Sequence, residues 1–133
     1  MVQGHGIGLH DNVVKESHEE AGIPEHLARQ AQAASAVSYT SAGPSGFGVK
    51  RDVLFCFDLE LPADFEPQAV DGEVESFSLV PVEEVVKTVA FTDDYKDNCN
   101  LVLIDFFLRH GIISADAPGF LQLLNGLRQT DCT

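Results

Sequence analysis

The apolar stretch DVLFCFDLEL, residues 52–61, restricts the fold of this chain more than any other part of the sequence. Its aromatic and branched aliphatic side chains are typical of a buried strand. An amphipathic helix is predicted from about Leu9 to Ala21, ended by Gly22 and Pro24, and its apolar side can pack on a sheet. We therefore predict an α/β fold.

Shorter segments complete the predicted layout. Residues 24–34 are predicted to form a second helix, and residues 36–42 and 73–80 two more strands. Pro81 begins a short helix, residues 97–111 form a longer one, and residues 118–128 form the last. Loops are expected between these segments, at residues 43–51 and 62–72. The length of 133 residues suits a single domain, residues 1–133, and the sequence contains no internal repeat.

Composition excludes several classes of function. The chain carries 21 acidic against 8 basic side chains, a formal net charge of −13. This charge argues against binding to a nucleic acid backbone, but it allows a cationic ligand or an anionic ligand bridged by metal. No segment has the length of a membrane span or the pattern of a signal peptide, so we expect a soluble, cytoplasmic protein without membrane partners. The three cysteines form no CxxC pair, and Cys56 and Cys99 are expected to be core thiols.

Carboxylates crowd the end of the first predicted helix. The segment VVKESHEEAGIP, residues 13–24, places Glu16, Glu19 and Glu20 in its last turns. Acidic groups are unfavourable there, because a helix C-terminus carries partial negative charge and neighbouring carboxylates repel one another. On a helical wheel the three glutamates share one stripe. Such a cluster suits a hard cation, Mg²⁺ or Mn²⁺, although an acidic stripe is more often only a solvated surface.

The segment KESHEEAGI, residues 15–23, resembles the second half of the Nudix box, G-x5-E-x7-R-E-U-x-E-E-x-G-U, in which U is a bulky apolar residue. Its three glutamates, Gly22 and Ile23 match that pattern, and Lys15 stands where the box has arginine. The departures are the first glycine, the first glutamate and one apolar position, occupied here by Met1, Ile7 and Ser17. The resemblance therefore covers the glutamate-rich half of the box.

A broader resemblance covers most of the chain. The segments GIGLHDNVVKESHEEAGIPEHLA, AVSYTS, DVLFCFDLELPADFEPQAVDGEVESFSLVPVEEV and NCNLVLIDFFLRHGII resemble the thiamine-pyrophosphokinase-related branch of Nudix hydrolases. The resemblance implies a pyrophosphohydrolase that uses Mg²⁺ or Mn²⁺ and cleaves a diphosphate linked to another group, with thiamine diphosphate or its oxidised analogues as the expected substrate. It also implies an α/β/α sandwich with a mixed sheet. The strands that precede the box helix are missing, so we expect a partial domain that corresponds to a C-terminal portion.

The resemblance also assigns catalytic and metal-binding residues by position. Glu16, Glu19 and Glu20 are the implied metal ligands, and Glu19 and Glu20 are the implied catalytic residues that help to activate water. The segment DGEVESF resembles the region that supplies a further acid in many Nudix proteins. On a regular strand Glu73 and Glu75 would point the same way and could both be metal ligands, or both could simply face solvent.

Substrate-binding residues are predicted with an alternative in each case. The glycines of GHGIG, Gly6 and Gly8, permit backbone amides to approach phosphate oxygens, or they only form a turn before the helix. Lys50 and Arg51 are adjacent bases that could meet substrate phosphate, or they are ordinary surface charges of a loop.

Three functions are compatible with the resemblance and the predicted site residues. The first is a working hydrolase of a small-molecule diphosphate, completed by a homodimer or a partner if the missing strands leave a bare sheet edge. The second is a catalytically inactive Nudix remnant that binds metal or a protein. The third is a hydrolase of nucleoside diphosphate derivatives, which differs from the first only in its substrate.

Overall fold

The computed structural model describes residues 8–42 and 48–128, together with the backbone of residues 130–131. Its helices are α1 Leu9–Ala21, α2 Glu25–Ala28, α3 Val82–Phe91, α4 Asp97–Arg109 and α5 Phe120–Gly126. Pro24 and Pro81 are the N-caps of α2 and α3, where the missing N–H of proline removes no helical hydrogen bond. The predicted helices 9–21, 81–89, 97–111 and 118–128 are thereby confirmed in type and approximate extent.

Within the described residues, three strands form one sheet. They are β1 Gln32–Ala42, β2 Val49–Asp58 and β3 Thr130–Asp131, in the order β2-β1-β3. β1 and β3 are parallel, with Tyr39 opposite Thr130. A small sheet with five helices is compatible with the predicted α/β class among the described residues, whereas the three-layer sandwich stays a prediction.

Three predicted boundaries are wrong. The predicted helix 24–34 ends at Ala28, and residues 32–34 lie in β1, because sheet pairing overrides the high helix propensity of their Ala and Gln side chains. β2 starts at Val49, so Lys50 and Arg51 belong to a strand instead of a loop, and it ends at Asp58, before Leu61. Residues 73–80 form no strand and run irregularly along the surface.

The chain divides into two compact units. The first consists of Met1–Ala34 and Phe55–Leu79, and the second of Ser35–Leu54 and Val80–Thr133. The core of the first is the buried cluster of Val14, Ile23 and Ala28. Its partly buried neighbours are Ala21, Leu27, Leu59, Leu61 and Phe65. This cluster fixes α1, α2 and the segment that follows β2 to one another.

The second unit has its own core. Val37, Phe107 and Leu127 are its most deeply buried large side chains. In the same unit α4 packs against α3 and α5. Burial of Val37 on β1 and Phe107 on α4 explains why both segments read as apolar in the sequence.

Two of the cysteines lie in described segments. Cys56 on β2 is buried, as predicted. Cys99 is exposed in the first turn of α4, so its prediction as a core thiol is wrong. Cys132 lies outside the described residues.

Among the residues that the structure describes, no helix combines the length and apolarity needed to cross a membrane.

Candidate functional site

The C-terminal end of α1 is fixed by its cap. Gly22 adopts a left-handed conformation, with φ +67°, and its N–H donates to the carbonyl of His18 at 2.9 Å. The N–H of Ile23 donates to the carbonyl of Ser17 at 3.3 Å, and the Ile23 side chain is buried. Glycine is favoured at such a cap because it has no Cβ to clash. The sequence signal Gly-Ile-Pro therefore ends the helix directly after its glutamates.

A loop from the same unit covers this helix end. The N–H of Gln68 donates to the carbonyl of Ala21 at 2.9 Å, and that of Asp71 donates to the carbonyl of Glu19 at 3.1 Å. These two bonds satisfy carbonyls that the last turn of a helix otherwise leaves unpaired. A Cβ added at Gly22 would lie 3.3 Å from the carbonyl oxygen of Gln68, so the loop approaches closely. The loop, defined here as residues 68–73, is thus held against the acidic end of α1.

The docked loop adds two carboxylates to those of the helix. The pKa of Glu20 is raised, first by partial desolvation of its carboxyl and then by the negative charges of Glu16, Asp71 and Glu73, in that order. The Glu20 side chain as a whole is exposed, so solvent weakens these repulsions. We call the carboxylates of Glu16, Glu20, Asp71 and Glu73 the acid cluster. Its members come from two segments about fifty residues apart in the chain, which the fold brings together.

Glu19 is placed differently from Glu20. It is half-buried, and its Oε1 lies 4.0 Å from Nζ of Lys15, one turn earlier on α1. The two side chains are 43% and 56% exposed, respectively, so this ion pair contributes little to stability. Glu19 also lines a shallow pocket with Lys15, His18 and Glu25. The Glu19 carboxylate is therefore accessible to a ligand.

The acid cluster has the donor chemistry that Mg²⁺ or Mn²⁺ requires. Carboxylate oxygens are hard ligands. Desolvation raises the pKa of Glu20 most, and the further rise caused by the neighbouring carboxylates is a repulsion that a cation would relieve. Within residues 8–42 and 48–128, no three His, Cys, Asp or Glu side chains are already arranged to hold a metal ion. Magnesium is usually bound by only one or two carboxylates, with waters and substrate phosphates as the other ligands. The residues therefore fit such an ion in type.

Glu73 and Glu75 do not share an environment. The predicted strand on which both would point the same way does not form, so that argument fails. Glu73 is one of the carboxylates that raise the pKa of Glu20, and its N–H donates to Oδ1 of Asp71 at 3.1 Å. Glu75 is exposed and is not among the groups that raise this pKa. Its role as a metal ligand stays a prediction.

Asp71 is the member of the acid cluster that sequence reasoning missed. It lies in a loop, and no periodic pattern connects it to α1. The sequence signal for this residue is the pair Asp71-Gly72, which is typical of a tight turn. In the structure Gly72 has φ +79°, and the Asp71 carboxylate accepts a hydrogen bond from the N–H of Glu73. An Asp-Gly pair predicts a tight turn but not the helix on which that turn lies.

The predicted substrate-binding bases lie in the second unit. Nζ of Lys50 is 3.6 Å from Oδ1 of Asp52. Nη2 of Arg51 donates to Oγ of Ser38 at 2.9 Å and to the carbonyl of Arg128 at 2.7 Å. Arg51 thus ties Arg128, two residues before β3, to β1, and phosphate binding by Arg51 stays a prediction.

The glycine-rich segment contributes one described residue. Gly8 is the exposed N-cap of α1, with φ −67°, and its carbonyl accepts from the N–H of Asn12 at 3.0 Å. Any residue adopts that conformation, so the backbone does not require glycine there. Gly6 lies outside the described residues.

Comparison with known proteins finds relatives that are named Nudix hydrolases. The chain is 51% identical over 129 residues to Nudix hydrolases 24 and 20 of Arabidopsis thaliana, both named as chloroplastic. These matches cover 97% of this chain but 35% and 34% of the two relatives, so the chain spans about a third of their length. An uncharacterized protein of Saccharomyces cerevisiae is 31% identical over 95% of the chain and 40% of that protein. No protein-family model matches.

Proposed function

We propose that this chain carries the metal-binding part of a Nudix-type pyrophosphohydrolase. The observation that supports the proposal best is the acid cluster, in which the docked loop brings Asp71 and Glu73 to the glutamates of the Nudix-like segment. The names of two relatives at 51% identity support a hydrolase. The cluster joins the Nudix-like segment, residues 15–23, to the segment DGEVESF, residues 71–77, and both segments carry the sequence resemblance.

The roles of the glutamates follow from charge. Glu16, Glu19 and Glu20 would hold the metal ion, with Asp71, Glu73 and Glu75 as further candidates. Bound Mg²⁺ would supply neutralisation of the diphosphate charge and an increase in the acidity of water at the site. Glu19 or Glu20 then accepts a proton from the attacking water. A bond would form between the water oxygen and phosphorus, and the bond from that phosphorus to the bridging oxygen would break. The bridging oxygen would leave with the electron pair of that bond, as part of the other phosphate product.

The proposed substrate is a small molecule with a diphosphate linked to another group, thiamine diphosphate or its oxidised analogues. This choice depends on the resemblance to the thiamine-pyrophosphokinase-related branch. The proposal includes phosphate binding by Gly6, Gly8, Lys50 and Arg51, and a cytoplasmic location with no nucleic acid or membrane partner.

The test is hydrolysis by the purified chain. Thiamine diphosphate, its oxo analogue and a panel of nucleoside diphosphate derivatives are incubated with Mg²⁺, and the monophosphate product is measured. The wild type is expected to hydrolyse at least one compound. Glu20→Gln and Glu19→Gln are expected to lower kcat by at least about a hundredfold, the lower end of a general base contribution.

Glu83→Gln is the matched control for these variants. Glu83 lies in the first turn of α3, in the second unit, and is expected to leave turnover unchanged. No metal-dependent turnover on any compound would contradict the proposal and favour the inactive remnant. Preference for a nucleoside derivative would retain the hydrolase and change its substrate.

A further inference from the structure

Two arginines of the second unit meet beside the middle strand of the sheet. Nη2 of Arg51, on β2, donates to the carbonyl of Arg128 at 2.7 Å, although 77 positions separate the two residues in the chain. Both residues are exposed and belong to the second unit. Because the guanidinium of Arg51 lies at the main chain of Arg128, the length of one arginine side chain limits the separation of the two guanidinium groups.

The guanidinium of Arg51 is held in place by β1. Its Nη2 also donates to Oγ of Ser38 at 2.9 Å, and the Ser38 hydroxyl in turn donates to the carbonyl of Arg128. Ser38 is buried, and its N–H donates to the carbonyl of Leu127 at 2.9 Å. The hydrogen bonds from Arg51 to described residues thus come from Nη2, whereas a guanidinium carries five N–H groups in all. A guanidinium fixed in this way loses little conformational entropy when it binds a ligand.

The side chain of Arg128 has weaker contacts. Its Nη2 lies 3.4 Å from Oγ of Ser35, beyond the usual range of an N–H···O bond. The Ser35 hydroxyl donates to Oδ1 of Asp105 at 2.8 Å. That carboxylate is 2% exposed and forms its ion pair with Arg109, at 2.7 Å. The negative charge of this network is therefore matched by Arg109, and Arg128 adds a further positive charge.

Neither Arg51 nor Arg128 forms an ion pair with an acidic side chain among the residues that the structure describes. The other two arginines of the chain, Arg29 and Arg109, each form one. Acidic side chains outnumber basic ones by 21 to 8, so the sequence offers many partners for two cations. Neighbouring guanidinium groups repel each other, and a bound anion would relieve that repulsion. The arrangement therefore suits an anion from outside the chain.

A phosphate group fits two guanidinium groups better than a carboxylate does. At pH 7 a phosphate monoester carries a charge of about −1.5 to −2 and has three acceptor oxygens. A carboxylate has one charge and two oxygens, which a single guanidinium can satisfy. Two arginines can instead bind different oxygens of one phosphate.

We propose that the guanidinium groups of Arg51 and Arg128 together bind a phosphate group in the second unit. In naming Arg51 as a phosphate ligand the proposal rests on the proposed function, to which it adds Arg128. Binding at this site requires neither the acid cluster nor a divalent metal ion.

The test is titration of the full chain with inorganic phosphate, without divalent metal and at low ionic strength, where exposed charges are least screened. The Nε–H resonances of the arginines are followed by proton–nitrogen NMR, and the wild type is expected to show a saturable shift at Arg51. Arg128→Gln is expected to weaken phosphate binding at least about tenfold, as expected for loss of a charge-assisted hydrogen bond. This variant retains the carbonyl that holds Arg51, so the fold is preserved. Lys87→Gln, which removes the same charge from an exposed position of α3 in the second unit, is the control and should leave binding unchanged.

The outcomes separate this site from the hydrolase. Since neither metal nor diphosphate substrate is present, saturable phosphate binding that is weakened in Arg128→Gln supports the site even if the chain hydrolyses no diphosphate. Absence of saturable binding, or equal weakening in Arg128→Gln and Lys87→Gln, would overturn the proposal and leave Arg51 only as a link between strands. A parallel titration with succinate tests the choice of ligand, and succinate binding as tight as that of phosphate would overturn the assignment to a phosphate group.

Discussion

At the scale of single residues, the carboxylate of Glu20 lies where a negative charge is unfavourable for the stability of the fold. It lies in the last turn of α1, where the helix dipole disfavours a carboxylate. Its pKa is raised first by partial desolvation and then by the charges of three further carboxylates. A residue selected only for stability would not be acidic there. Under the proposed function, a bound metal ion would offset this cost and stabilise the folded protein.

Replacing Glu20 by glutamine should stabilise the folded protein at neutral pH. Because the pKa of Glu20 is raised in the folded state, folding is opposed above that raised value, and the opposition disappears below the ordinary value of 4.5. We expect a gain of about 0.5 kcal/mol at pH 7, seen as a higher Tm, that vanishes below about pH 4. Glu83→Gln removes a carboxylate that is favourable in the first turn of α3, so this variant should have a lower Tm than the wild type at pH 7. A lower Tm for Glu20→Gln at pH 7 would contradict the assigned repulsion.

Asp105 should matter more for stability than any exposed acid. It is 2% exposed, and its two oxygens accept from Oγ of Ser35 at 2.8 Å and from Nε of Arg109 at 2.7 Å. Asp105→Asn is expected to lower the free energy of unfolding by about 2–3 kcal/mol, because it breaks a buried ion pair. Asp11→Asn, which breaks an exposed pair with Arg29, should cost less than about 1 kcal/mol. Equal losses in urea unfolding would show that the Asp105 network is not what stabilises the second unit.

At the scale of elements, local signals predicted the helices well. Pro81, Gly22 and Gly111 mark helix ends in the sequence and lie at or beside helix ends in the structure. Strand extents were predicted poorly, because pairing partners decide them. Residues 32–34 read as helix and lie in β1, and residues 73–80 read as strand without forming one. The glutamates of α1 could be predicted from spacing, whereas Asp71 joins them only through main-chain bonds that no local pattern encodes.

The cap of α1 should be sensitive to any side chain at Gly22. Gly22→Ala combines a positive φ with a Cβ 3.3 Å from the carbonyl oxygen of Gln68. We expect a loss of about 2 kcal/mol in the free energy of unfolding, together with weaker metal binding as loop 68–73 shifts. Gly111→Ala has a similar φ, +69°, but no atom within 4 Å, and should cost about 1 kcal/mol. If Gly22→Ala and Gly111→Ala lowered the free energy of unfolding equally, the close approach of loop 68–73 to Gly22 would not contribute to the loss.

At the scale of the whole molecule, β2 lies at one edge of the described sheet. Val49 and Val53 on this strand are 79% and 47% exposed. An edge strand that exposes apolar side chains can pair with another chain. The sheet edge is therefore the surface on which self-association is expected.

Light scattering across a concentration series should detect this self-association in the wild type. Val53→Lys, which places a charge on the edge strand, should reduce it. Leu121→Lys alters a 66% exposed leucine of α5, outside the sheet, and should leave it unchanged. If the wild type were monomeric at all concentrations, the prediction that β2 pairs with another chain would be wrong.

The central claim, that the acidic end of α1 binds a divalent metal, is tested most directly by titrating the chain with Mn²⁺ and measuring free Mn²⁺ by electron paramagnetic resonance. The wild type should show saturable binding that Mg²⁺ competes away. Glu16→Gln and Glu20→Gln should each weaken this binding by at least about tenfold, while Glu83→Gln leaves it unchanged. Binding that is absent in the wild type, or equally strong in all four proteins, would contradict the metal site.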